Sequence, residues 1–152
     1  MTPATRRLVH LARRWWGSLS SAAPSPTDEA WAHANLLEGE RLVFDAMSVP
    51  DRRHAVSVAR RFVDGWPGAV RDQVAAALLH DVGKTHSGLS TAERVVAMLV
   101  GPRTRRFRDY HRHESIGLDM CRRAGSTEQT LSLLAGRADA RILEALRRAD
   151  DI

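Results

Sequence analysis

The 152-residue chain carries a single cysteine, Cys121, so no internal disulfide can form and no Cys-x-x-Cys pair is available for zinc. A lone thiol with no crosslink partner is expected in a reducing cytoplasm. No apolar run approaches the ~20 residues that a membrane-spanning helix requires. The first residues lack the unbroken apolar core and the cleavage site of a signal peptide, because Arg6, Arg7, Arg13 and Arg14 interrupt them. No β-branched alternating run marks a strand, and no segment repeats. Lysine is almost absent too: of 23 basic side chains, only Lys84 is not arginine.

What is present fits one folded domain, long enough to bury roughly two-thirds of its unfolded surface. The net charge of +5 and the pI near 10.8 favour polyanionic or phosphorylated partners. A GC-rich genome that writes Arg for Lys accounts for the same numbers equally well. A basic nucleic-acid-binding protein is therefore possible but not favoured, since no helix-turn-helix, zinc or RNA-binding signature accompanies the charge.

Two parts separate along the chain. Residues 1–24 form a basic lead containing Trp15 and Trp16, closed by a Ser/Ala/Pro-rich linker that begins at Ser18. The paired tryptophans either touch an anionic membrane surface or cover the bundle, and the second is favoured. Residues 25–152 read as helices throughout, six to eight of them, in an all-α single bundle. Ser25-Pro26 is a start signal, Ser48 or Pro50 opens the next helix with such a signal, and Pro67 opens another that Gly83 ends. Ser90-Thr91-Ala92-Glu93 has the form of a capping box, with a stop at Gly101-Pro102. A helix from about residue 113 ends at Gly125, Ser126 to Gln129 start another, and the last runs from about Asp139 to Asp150.

Several ionisable side chains fall on the apolar faces of these helices. His54 lies in register with Val58 and Phe62, and His113 with Ile116, Gly117 and Met120. Asp150 continues the stripe of Leu143 and Leu146, while His80 and Asp81 follow the apolar run from Val74 to Leu79. Such placement is costly unless the group is paired or binds a metal. His54 and His113 start helices, whereas His80-Asp81 and Asp150 end them. Antiparallel neighbours would therefore bring them to one rim, where terminal carbonyls favour a cation. Taken singly, His54 reads as a satisfied core histidine and His80-Asp81 as a helix-ending pair. Asp150 alone reads as a solvent-facing acid, and only the constellation changes these readings.

The order His54, His80-Asp81, Asp150 resembles the HD superfamily of metal-dependent phosphohydrolases. The flanks are Arg52 to Ala59, Ala76 to Lys84 and Ala149-Asp150-Asp151. The stretch from Pro24 to Glu29 and the run from Glu40 through Ser90 are similar to small actinobacterial HD proteins. The resemblance covers roughly residues 25–152 and implies an HD-type bundle with His54, His80, Asp81 and Asp150 as metal ligands. His113, in His-x-x-x-Gly form, resembles the first extra histidine of two-metal members. No histidine follows it, so one metal per chain is expected, with His113 either a further ligand or a buried neighbour.

Two imidazoles and two carboxylates suit Mn, Fe, Co, Ni or Zn, whereas Mg prefers fewer nitrogens. The resemblance implies hydrolysis of a nucleotide or another small phosphate ester, with His80, Asp81, Lys84 and His113 as the reacting-site residues. Lys84 would neutralise phosphate or merely serve as a helix-end charge. His86, His111 and His113 are the acid–base candidates, while His10 and His33 carry no signal. Arg103, Arg105, Arg106 and Arg108 with Phe107 and Tyr110 form either a nucleotide-binding rim or, more commonly, a solvated turn. The competing expectation is a catalytically degenerate HD module with a structural or ligand-sensing role. The substrate, the metal and the oligomeric state are not written in the sequence.

Overall fold

The computed structural model describes residues 22–87 and 112–151. Among them are eight helical segments and no strand: α1 Pro26–Ala34, α2 Glu38–Asp45, α3 Val49–Gly65, α4 Arg71–Leu79, α5 Lys84–Ser87, α6 His113–Arg123, α7 Glu128–Leu134 and α8 Ala140–Asp150. The all-α bundle expected from the sequence is what forms. No described helix is long and apolar enough to cross a membrane. Trp15 and Trp16, the helix expected to open at Ser90, and the arginine cluster from Arg103 to Tyr110 lie outside the described residues.

Side chains set most of the helix starts. Ser25 Oγ accepts from the Asp28 N–H, with Pro26 in the first turn, and Ser48 Oγ accepts from the Asp51 N–H ahead of Pro50. Thr127 and Asp139 cap α7 and α8 in the same way. Two boundaries differ from expectation. Pro67 does not open a helix: Pro67-Gly68 make a turn with Gly68 at φ 81°, and α4 begins at Arg71. Gln73 Oε1 reaches back to the Val70 N–H at 3.1 Å and supplies the start signal instead. Nor does α4 run through Asp81 to Gly83. It ends at Leu79, and His80 to Gly83 form turns ahead of α5.

The packing is centred on α4. Every residue from Val74 to Leu79 is buried, so this helix is apolar all round and sits among α2, α3 and α7. Ala75, Ala76 and Ala77 let neighbouring helices approach, while Leu78 and Leu79 each contribute about 2 kcal/mol of burial. α3 supplies Ala55, Val58, Ala59 and Phe62 to the same core and carries α8 on another side. The turn between α3 and α4 makes them an antiparallel hairpin, so the start of α3 meets the end of α4. At the other edge, Arg60 lies 3.8 Å over the Trp31 ring and pairs with Asp28, fixing α1 on α3. Pro24 is buried and the Ala22 carbonyl accepts from Arg53, so the folded body takes in the last residues of the expected lead.

Candidate metal centre

Four expected residues meet where the ends of α4 and α8 face the start of α3. His54 sits in the second turn of α3, and its ring Nε2–H donates to Asp150 Oδ1 at 2.9 Å. His80 follows the last residue of α4, with Nε2 lying 3.4 Å from Asp81 Oδ2 and 3.5 Å from Asp150 Oδ1. The His54 and His80 rings are 5.7 Å apart, centroid to centroid. One ligand atom from each of His54, His80 and Asp81 fits within a mutual spread of 4.8 Å, and Asp150 joins the group through both histidines.

The most informative atom is His80 Nε2. The Ala77 carbonyl accepts from His80 Nδ1–H at 2.8 Å, which directs the opposite nitrogen at the two carboxylates. Nε2 is buried and makes no hydrogen bond. Nε2 facing two carboxylate oxygens is favourable only where it carries a proton or where a cation stands between them. Burial by itself would depress the His80 pKa, but Asp81 and Asp150 outweigh it and lift it to about 10. Burial likewise resists ionisation of Asp81, yet His80 and then Lys84 hold its carboxyl well below the usual carboxylate range. The site thus retains Asp81 as an anion and draws a positive charge to Nε2. Separations of roughly 3 to 3.5 Å are also the edges expected of a shell with bonds near 2.1 Å. A divalent ion fits these donors.

Backbone features hold the group in place. A Cβ added at Gly83 would stand 1.7 Å from the His113 carbonyl oxygen and 2.7 Å from the Gly117 nitrogen. The two glycines therefore allow direct backbone contact between the turn after Asp81 and the first turns of α6. That contact carries His113 Nε2 to 3.6 Å from Asp81 Oδ1. Arg61 donates to the Ala149 carbonyl at 2.7 Å and to Ser57 at 2.7 Å, fixing the end of α8 that presents Asp150. Lys84, the first residue of α5, pairs with Asp81 Oδ2.

Sequence reasoning brought His54, His80, Asp81, Asp150, Lys84 and His113 to one place, and the structure places all six there. Asp151, the neighbour of Asp150, is exposed and paired with Arg147. The acceptors behind the imidazoles, Ala77 O and Asp150, were not identifiable beforehand, nor was the role of Arg61. The His-x-x-x-Gly spacing was the available signal for the Gly117 contact. His111 lies outside the described residues, as does the side chain of His86. His33, which carried no signal, pairs with Asp45 at 2.8 Å away from the site.

A second buried polar group was missed. Glu40 is fully buried on the apolar stripe of Leu36, Phe44 and Met47, paired with Arg71 at 3.1 Å and accepting from the Leu37 N–H at 2.7 Å. Burial of the nearby Cys121 thiol, and then the Glu40 charge, push that thiol up to about 12. An acid in step with three apolar residues was the legible signal.

No family model matches the chain, and no curated protein or solved structure is significantly similar to it.

Proposed function

We propose that the protein is a metal-dependent phosphohydrolase of the HD kind, acting on a nucleotide or another small phosphate ester in the cytoplasm. The observation that carries this reading is the buried His80 Nε2, directed by Ala77 at the carboxylates of Asp81 and Asp150 and flanked by a second imidazole. His54, His80, Asp81 and Asp150 would hold one divalent first-row metal. Such an ion supplies Lewis acidity and lowers the pKa of a bound water. The chain's own residues do the rest. The Ala77 carbonyl keeps His80 in one tautomer, Arg61 holds the Ala149 carbonyl beside Asp150, and Lys84 brings positive charge to the edge where a phosphate would lie. His113, beside Asp81, is the described group best placed to move a proton. The buried, unpaired Cys121 suits a reducing compartment.

Elemental analysis of protein purified without chelator, followed by a broad panel of phosphorylated compounds, tests the reading. One divalent ion per chain and hydrolysis of some member are expected. His80→Ala and Asp81→Ala should lose both while keeping the helical circular dichroism. A folded variant retaining full metal and full turnover would eliminate the site. Metal without hydrolysis of any compound would instead identify a degenerate module.

A further inference from the structure

We propose that Lys84 is a built-in competitor for the metal: its ammonium and a divalent ion contend for Asp81 Oδ2, and metal binding releases Lys84 towards a substrate phosphoryl oxygen. The inference rests on the metal reading above and assigns a role to the chain's single lysine.

The geometry sets up the contest. Asp81 Oδ2 is the carboxylate oxygen nearest His80 Nε2, at 3.4 Å, so an ion bound by both residues uses that oxygen. The same oxygen takes Lys84 Nζ. Both partners are largely buried, with 13 % of the Lys84 side chain and 9 % of the Asp81 side chain exposed, so their attraction is weakly screened. On its other oxygen Asp81 faces His113 at 3.6 Å. One carboxylate therefore already has three cationic or proton-bearing neighbours. A doubly charged ion at Oδ2 cannot share that oxygen with an ammonium without strong repulsion.

Only the side chain needs to move. The Lys84 backbone is tied into the turn by its N–H, which donates to the Asp81 carbonyl at 3.0 Å. The residue type matters as well. An arginine grips a carboxylate through a planar fork, whereas an ammonium on a four-carbon stem is a compact charge that can sit on one oxygen and leave it. In a chain whose every other basic side chain is arginine, lysine stands at the position where a removable charge is useful. Once displaced, the ammonium remains beside the ion, where a phosphoryl oxygen would bind.

The test compares wild type, Lys84→Met and Lys84→Arg, with Zn²⁺ affinity measured by competition against a chromogenic chelator. Lys84→Met should bind Zn²⁺ at least about tenfold more tightly, and Lys84→Arg should remain within about threefold of wild type. A merely structural lysine would have the opposite sign, because its loss would loosen the site. Selective ¹³C-lysine labelling gives one side-chain signal, which should shift and narrow when Zn²⁺ is added to wild type but not to His80→Ala. If Lys84→Met fails to fold, Lys84→Gln replaces it. Zn²⁺ binding by wild type with equal or weaker binding by the neutral variant would overturn the competition and leave the metal site standing. No Zn²⁺ bound by either protein would overturn both readings.

Discussion

Replacing Gly83 by alanine tests the contact that brings His113 to the site. Gly83 does not have positive φ, so its backbone conformation accepts alanine and the cost comes from space alone. The new Cβ would lie 1.7 Å from the His113 carbonyl oxygen, against an ordinary contact of about 3.4 Å. α6 must then retreat by roughly 1.7 Å, and His113 Nε2 would move from 3.6 Å to about 5 Å from Asp81. Because backbone meets backbone, no side chain can swing aside, and the cost should reach the upper end of overpacking, about 3 kcal/mol. That corresponds to a fall of roughly 6–12 °C in Tm. Gly117→Ala is milder: its Cβ would be 3.0 Å from the Gly83 nitrogen, and the helix-propensity gain of about 1 kcal/mol offsets most of the squeeze. Gly65→Ala meets nothing within 4 Å and should be neutral or stabilising. Urea unfolding of the three variants, with metal content measured alongside, gives the ranking. Gly83→Ala should keep metal on His54, His80, Asp81 and Asp150 while losing turnover. A Gly83→Ala protein within about 0.5 kcal/mol of wild type would refute the close contact.

Further outcomes follow from the same geometry. Metal should bind at one tight site per chain, and His113→Ala should lower turnover more than metal content; two tightly held ions, one lost in that variant, would refute the single-metal reading. In chelator-stripped protein, His80 keeps its proton up to about 10 when folded but releases it near 6.5 when unfolded. Its contribution to stability is therefore full below 6.5 and lost as pH rises towards 10, and urea melts of wild type against His80→Ala should show that slope in wild type alone. Cys121, with its thiol pushed up to about 12 by burial and Glu40, should resist alkylation at pH 8 until the protein unfolds, and rapid labelling of native protein would contradict its burial.

Much of this architecture was legible because local chemistry and packing agree. Ser25, Ser48 and Asp139 announce helix starts, and Gly125, at φ 79°, stops α6 as expected. That His54, His80, Asp81 and Asp150 need partners was readable from their places on apolar stripes, whereas their meeting at one rim was an expectation carried by the resemblance. What failed was punctuation with two physical solutions. Pro67 suits a first helical turn, yet Gly68 at positive φ cannot continue a helix, so the pair became a turn. The break between α1 and α2 had no proline or glycine to mark it; Asn35 closes α1 on the Trp31 carbonyl, and Glu40 opens α2 by reaching back to Leu37. Direct glycine–glycine contact was hidden because it depends on which helices cross, and sequence spacing does not encode that.

The contact between His54 and Asp150 spans 96 positions. During synthesis α3 and α4 leave the ribosome well before α8, so one wall of the site is missing while most of the body is already made. A nascent chain can offer His54, His80 and Asp81, but not the carboxylate opposite them. Capture by the full ligand set would therefore wait until α8 has docked on α3. An ion seated across that junction would join the α3–α4 hairpin to α8, so its loss would free α8 first.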